Sequence, residues 1–308
     1  MRTITRLDQL QSENRPIVLA AGAFDGVHVG HRAVIQQAMA KARALGGTAW
    51  AMTFDPHPLK LLRPEIAPPL ITSTPHKLHL LNALGLDGCA VLPFTRDLAA
   101  IEPEAFIADL HRAAPTLAAI VVGADWTFGH RARGDIHLLR QLGAKAGFAV
   151  DIVDGVLCDG QPISSTRIRK AVAAGDLDAA ARLLGRPFSM YGTVIHGTKL
   201  GRQLGYPTAN VDPHNEARPP AGIYAVRMRV NDTVHPGAGF LTDHPDPRKG
   251  PPDVVEVHLI DRDLDLYDLE VEVFFEKRLR DEWTFDSLSA LKTQIALDVA
   301  QARAALEN

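Results

Sequence analysis

The stretch GAFDGVHVGHRAVIQQA, residues 22–38, decides how the first half of the chain is read. It begins where a short apolar run, PIVLAAG (16–22), gives way to helical spacing. Such a run, ending in glycine, reads as a buried strand. Residues 29–45 are rich in good helix formers, with Val34, Ile35, Ala38, Met39 and Ala42 near helical spacing, and Gly46-Gly47 end the pattern. The segment is therefore a strand, a glycine-containing turn and the mouth of a helix, with His28 and His31 in that mouth.

Working outward, strand-like runs at 48–54, 89–94, 117–123 and 148–153 alternate with helical patterns at 75–84, 103–113 and 135–146. Strands separated by helices of this length imply parallel pairing through right-handed crossovers, a Rossmann-like α/β sheet. Ligands of such sheets bind beyond the carboxyl ends of the strands, where residues 22–31 lie. A helix N-terminus there offers unpaired N–H groups and partial positive charge to a phosphate. Histidines three apart share one side of the first turn and can donate to phosphate oxygens, and Gly22 and Gly30 let the backbone approach a nucleotide. On spacing alone, the pair also reads as polar residues at a helix start, or as part of a metal site. The full G-x-F-D-G-V-H-x-G-H string at a strand-to-helix junction points to nucleotide phosphate.

The chain has 308 residues, beyond the roughly 100–200 of a single domain, so two domains are expected. Its 46% hydrophobic content supports a proper core, and a net charge of −3 argues against nucleic acid as a partner. Cys89 and Cys158 have no motif spacing, which disfavours a disulfide framework and fits a reducing compartment. The N-terminus lacks a signal-peptide apolar region, and no stretch approaches the ~18 apolar residues of a membrane span. A cytoplasmic protein is expected.

From residue 189 the character changes. Short alternating or β-branched runs at 190–197, 223–230, 253–260 and 266–276, separated by Pro/Gly-rich turns, predict an antiparallel barrel or sandwich. A final helix over 286–303 follows, with Asp286 as its cap. The boundary falls near 185, giving domains 1–185 and 186–308. In the second half, GTKLGRQLGYPTANVD (197–212) is glycine-rich with a lysine, but lacks P-loop spacing. Thr208 and Asn210 would point the same way if extended, offering oxygen ligands to a hard ion; equally, both are ordinary residues of a turn after Pro207. Val255 and Val257 facing a core would leave Glu256 on the other side of its strand.

The HxGH turn resembles the signature of nucleotidyltransferases, and in its full form that of the bacterial bifunctional riboflavin kinase/FMN adenylyltransferase family. TFDPHP (53–58), VGADWTFG (122–129), ISSTRIRKAVAAGDLDAAARLLGRPF (163–188) and Pro207-Thr208-Ala209-Asn210 agree with it in order along the chain. The resemblance implies a Rossmann-like nucleotidyltransferase domain followed by a riboflavin kinase-like β-barrel with a C-terminal helix. It implies catalytic roles for His28, His31 and Glu256, and ATP contacts at Gly22, Phe24, Asp25, Gly30, Ser165, Thr166 and Arg167, with Gly197, Lys199 and Gly201 in a second, glycine-rich arch. It implies flavin contacts at Phe54, Asp55, Asp125 and Arg280, and Mg²⁺ held with ATP by Thr208 and Asn210.

Two departures stand out. The family usually reads Asp/Asn-Phe-x-Phe-Gly, whereas this chain has Asp125-Trp126-Thr127-Phe128-Gly129. Relatives usually carry Ile/Phe-Gly-x-x-Pro-Thr after the second barrel strand, whereas residues 237–252 read GAGFLTDHPDPRKGPP, a loop expected to border the kinase site. The expected function is phosphorylation of riboflavin to FMN and adenylylation of FMN to FAD, with riboflavin, FMN and ATP as small-molecule partners. The rivals are an adenylyltransferase whose barrel only binds flavin, and a non-catalytic flavin sensor.

Overall fold

A computed structural model describes residues 1–242 and 254–307. The chain divides into two compact units, Met1–Pro68 with Thr74–Ser164, and Pro69–Ser73 with Ser165–Asn308.

The first unit carries six parallel strands: β1 (Arg2–Ile4), β2 (Ile17–Ala21), β3 (Thr48–Asp55), β4 (Gly88–Pro93), β5 (Leu117–Gly123) and β6 (Ala149–Val153), ordered β1-β4-β3-β2-β5-β6. The helices are α1 (Val29–Ala44), the short α2 (Pro58–Leu62), α3 (Thr74–Ala83), the short α4 (Arg96–Ala99), α5 (Pro103–Ala113) and α6 (Ile136–Ala146). Alternate side chains of β2 enter two cores. Val18 and Ala20 meet Ile35 and Ala38 of α1 on one face, while Ile17 and Leu19 meet Phe106 and Leu110 of α5 on the other. Each such buried aliphatic side chain stabilises the fold by about 1.5–3 kcal/mol. The expected α/β sheet is therefore observed.

Strand β2 lies between β3 and β5. The chain leaves β2 toward β3 and returns to its other side only at β5, so the order reverses beside β2. Crevices form at such reversals, at the carboxyl ends of the strands. Gly22–His28 leaves one flank of this crevice and Ala124–Phe128 the other.

A two-stranded hairpin, β7 (Leu157–Cys158) with β8 (Gln161–Pro162), precedes the second unit. That unit opens with helices α7 (Ser165–Ala173) and α8 (Leu177–Leu184). Its barrel comprises β9 (Phe188–Ile195), β10 (Ala209–Pro213), β11 (Gly222–Val230), β12 (Thr233–Leu241), β13 (Val255–Leu259) and β14 (Glu270–Arg280), with a short α9 (Leu200–Leu204) after β9. The barrel closes in the order β10-β13-β12-β11-β14-β9, every pair antiparallel. α10 (Leu288–Leu306) packs on β11, β12 and β14.

Two local expectations are corrected. The start of the 237–252 run is no loop, because residues 237–241 lie within β12, laddered to β11 and β13; Pro236, Gly237 and Gly239 conceal the strand pattern. Residues 243–252 of that run lie outside the described residues. The cap of α10 is Ser287, not Asp286: Ser287 is extended, and its hydroxyl accepts from the N–H of Ala290 at 3.1 Å. Helices α7 and α8, residues 165–184, group with the barrel.

Candidate active sites

In the first unit, the turn from β2 into α1 is built from unusual backbone. Phe24 and Val27 have φ of 51° and 40°, in the left-handed region, and Gly26 lies between them at 86°. Non-glycine residues persist there only when their surroundings over-determine them. The Phe24 ring is buried in the core, and the Val27 N–H closes the turn on the Phe24 carbonyl at 3.1 Å.

His28 then caps α1. Its Nδ1 accepts the backbone N–H of His31 at 3.2 Å, so Nδ1 carries no proton and the neutral ring is protonated at Nε2. The two imidazoles stack, centroids 3.5 Å apart and planes 15° from parallel. The Phe24 ring stands edge-on to His31 at 5.4 Å. Burial holds the His31 pKa well below its usual value, and its neighbours His28 and Lys77 push the same way. Stacked rings, one of whose nitrogens already serves the backbone, do not converge on a metal. They remain ring donors at the start of a helix, where a phosphate is favoured. Nδ1 of His31 is buried without a hydrogen-bond partner in the described protein.

The other expected residues of this unit fall around the crevice. Gly22 donates its N–H to the Met52 carbonyl, and Asp25 is buried. Gly30 lies beside the His28 ring in the first turn of α1. Phe54 and Asp55 end β3; the Phe54 ring meets Phe94 edge-on at 5.4 Å, while Asp55 is exposed. Asp125 is exposed just beyond β5, next to Trp126, whose ring stacks on Phe128 at 4.9 Å. Ser165, Thr166 and Arg167 form the first turn of α7, in the second unit.

The barrel unit holds a separate constellation. Val211 on β10 and Val255 and Val257 on β13 are fully buried, which turns Asn210 and Glu256 to the outer face. Asn210 pairs directly with Glu256 across the ladder. The preceding arch closes tightly over β10. A Cβ on Gly197 would lie 2.4 Å from the Asn210 amide, and one on Gly201 would lie 2.4 Å from the Tyr206 carbonyl and 3.1 Å from the Thr208 hydroxyl. Lys199, exposed and with φ of 61°, starts α9 between those glycines. His258, two residues beyond Glu256, donates from Nδ1 to the Pro207 carbonyl at 2.8 Å and so anchors the start of the Pro-Thr-Ala-Asn run. Beside Thr208 opens a cavity of about 380 Å³, with Arg202, Arg262, Asp265 and Tyr267 in its wall.

Arg280 is not open to a ligand in the way expected. Its guanidinium makes two bonds to Asp298, at 2.8 and 2.6 Å, and one to the Asp281 carbonyl, while the Trp283 ring lies 4.5 Å from it. It is an internal clamp between the end of β14 and α10.

The two halves match two family models, FAD synthetase over residues 10–167 and riboflavin kinase over residues 184–306. A bifunctional riboflavin kinase/FMN adenylyltransferase of Pseudomonas fluorescens is 37% identical, over 99% of this chain and 97% of its own length. The chain belongs to the bifunctional riboflavin kinase/FMN adenylyltransferase family. The Escherichia coli K12 member is likewise 37% identical, over 98% of this chain and 96% of its own. A crystal structure of a macrolide-efflux protein from Streptococcus pneumoniae is similar at a TM-score of 0.81 and 28% identity, covering 97% of both chains. Among the described residues no helix is long and apolar enough to cross a membrane.

Two residues beside the candidate sites of this riboflavin kinase/FMN adenylyltransferase family member escape motif reading. His258 had a usable signal, lying two residues from Glu256 on one strand face. Lys77, four residues before Leu81 on α3, had none, because a helical lysine ordinarily reads as solvated.

Proposed function

We propose that this chain phosphorylates riboflavin at its barrel and adenylylates FMN at its parallel-sheet unit, ATP serving both steps. The observation that carries the reading is the coexistence of two separate constellations, the stacked His28/His31 pair capping α1 and the Asn210–Glu256 pair under a glycine arch. Each sits in the half that matches the corresponding family model.

In adenylyl transfer the FMN phosphate attacks the α-phosphorus of ATP and pyrophosphate leaves. The ring N–H groups of His28 and His31 stabilise charge that builds on the α-phosphoryl oxygens, as preorganised donors do. Gly22, Phe24, Asp25 and Gly30 shape the nucleotide seat, Phe24 by holding His31 from below and not by touching ATP. Ser165, Thr166 and Arg167 supply hydroxyl and guanidinium donors to the triphosphate. Phe54, Asp55 and Asp125 border the flavin, with the Trp126–Phe128 stack adding aromatic surface.

In the kinase step Glu256 accepts the proton of the riboflavin hydroxyl as it attacks the γ-phosphorus of ATP, and ADP leaves as the bond from that phosphorus to the β,γ-bridging oxygen breaks. Gly197, Lys199 and Gly201 cover the phosphates, and the cavity beside Thr208 receives the nucleotide. The Thr208 hydroxyl and Asn210 carboxamide are neutral oxygen donors that suit Mg²⁺, an ion that keeps several water and phosphate ligands of its own. When bound, Mg²⁺ would neutralise phosphate charge. Arg280 contributes to the flavin entrance by fixing the segment that bears Trp283. The boundary between the activities lies near 185, and Cys89 and Cys158, neither of them in a disulfide, suit a cytoplasmic location.

The test is direct: purified protein is incubated with riboflavin, ATP and Mg²⁺, and the flavins are separated over time. FMN first and FAD after it is the expected course. Untouched riboflavin with added FMN converted to FAD would leave an adenylyltransferase alone.

A further inference from the structure

The buried face of α3 carries a cation that no motif contains. Lys77 is only 5% exposed, on a helix face shared with Leu81. A buried ammonium destabilises a fold unless it is paired and hydrogen-bonded. Nζ of Lys77 donates to Oγ1 of Thr53 at 3.3 Å, and that hydroxyl donates to the carbonyl of Ala23 at 2.9 Å. Thr53 is fully buried near the carboxyl end of β3, and Ala23 immediately precedes the Phe24–Val27 turn. The relay therefore links α3, β3 and the loop leaving β2.

We propose that Lys77 is a positioning residue for adenylyl transfer, its ammonium fixing through Thr53 the turn on which His28 and His31 are mounted. The inference rests on the assignment of adenylyl transfer to those histidines. Its first support is the backbone: the left-handed Phe24 and Val27 need holding, and the relay seizes the chain one residue before them.

Its second support is charge. Asp25, in the turn after β2, and Asp55, at the end of β3, both favour the charged form of Lys77, against burial that opposes it. The neighbouring Cys89 thiol is pushed up to about 12 by burial and stays protonated, so the aspartates are the counter-charges. One buried cation thus offsets two carboxylates at the rim of a site that receives polyphosphate. The same charge acts on His31 and helps keep its ring neutral.

Lys77→Met and Thr53→Val, each in the full-length chain, test this. Both should lower kcat for FMN adenylylation by about tenfold or more while KM for FMN and riboflavin phosphorylation stay within about twofold, as expected for misplaced rather than missing groups. In Lys77→Met the His31 imidazole, followed by NMR, should titrate at higher pH than in the parent, whereas Thr53→Val, which keeps the charge and cuts the relay, should lower kcat without that shift. Unchanged adenylylation kcat in either variant, or an unmoved His31 titration in folded Lys77→Met, overturns the inference. If Lys77→Met does not fold, kcat of Thr53→Val decides. FAD formation surviving in a His28→Ala/His31→Ala chain would instead overturn the underlying assignment, whatever the lysine does.

Discussion

His28 and His31 lie face to face, 3.5 Å between ring centroids, because the first residue caps the helix through the backbone N–H of the second. The capping bond draws one imidazole back over the turn and sets it parallel to the other. Two neutral rings tolerate that stack, whereas two cations would repel. Helix capping therefore sets the tautomer of His28, with its proton on Nε2.

Replacing both rings by alanine should abolish FAD formation and spare FMN formation. Loss of two donors to the developing charge costs about 10²–10³ in rate for each donor removed. Separate time courses from riboflavin and from FMN measure this, and persistent adenylylation would refute the role.

The depressed pKa of His31 makes a prediction about stability. The unfolded histidine binds a proton below about 6.5 and the folded one resists it, so the unfolded state binds more protons as the solution is acidified. The contribution of His31 is thus fully present above that value and is lost as pH falls toward its lowered folded pKa. Thermal unfolding between pH 7 and 5 should show declining stability, and His31→Asn should flatten the decline.

Gly197→Ala should eliminate riboflavin phosphorylation and leave FMN adenylylation intact. The added methyl would sit 2.4 Å from the Asn210 amide, so the arch or the amide must move. Turnover of each substrate by the same preparation checks it.

Glu256→Gln keeps the shape of the side chain and removes the base. Riboflavin phosphorylation should fall by about 10²–10⁴ with little change in ATP binding. An unaltered kcat would show that Glu256 accepts no proton.

The Arg280–Asp298 pair is 12% and 5% exposed in its side chains, so severing it strands a charge. Asp298→Asn should destabilise the barrel unit by about 3 kcal/mol in urea titrations. Trp283, lying against the guanidinium, should report the loosening by fluorescence.

The α/β unit was readable because its strands are apolar runs bounded by glycine and its helices carry local signals. Residues 117–123 and 103–113 bound β5 and α5 in sequence and structure alike, the latter opening with Pro103 at its first position. Strand β1 is only three residues long, too short for any period to register, and its pairing with β4 is non-local. Strand β12 was hidden by Pro236, Gly237 and Gly239, residues disfavoured in strands; Pro236 precedes the first residue that pairs with β13. The histidine turn, the Pro-Thr-Ala-Asn run and Glu256 lie in local strings, which is why they could be named. Lys77 could not be, since a helical lysine ordinarily reads as solvated and its burial depends on β3, whose Thr53 is 24 residues away.

The five residues Pro69–Ser73 belong with the barrel unit although the chain on both sides of them belongs with the sheet unit. The Leu70 carbonyl accepts from the N–H groups of Glu216 and Ala217, and the Pro69 carbonyl from Arg169. A gene split at codon 164 would therefore not yield two complete enzymes, because the kinase half would lack a pentapeptide encoded inside the other. Fission of this polypeptide into independently inherited activities requires that loan to be replaced.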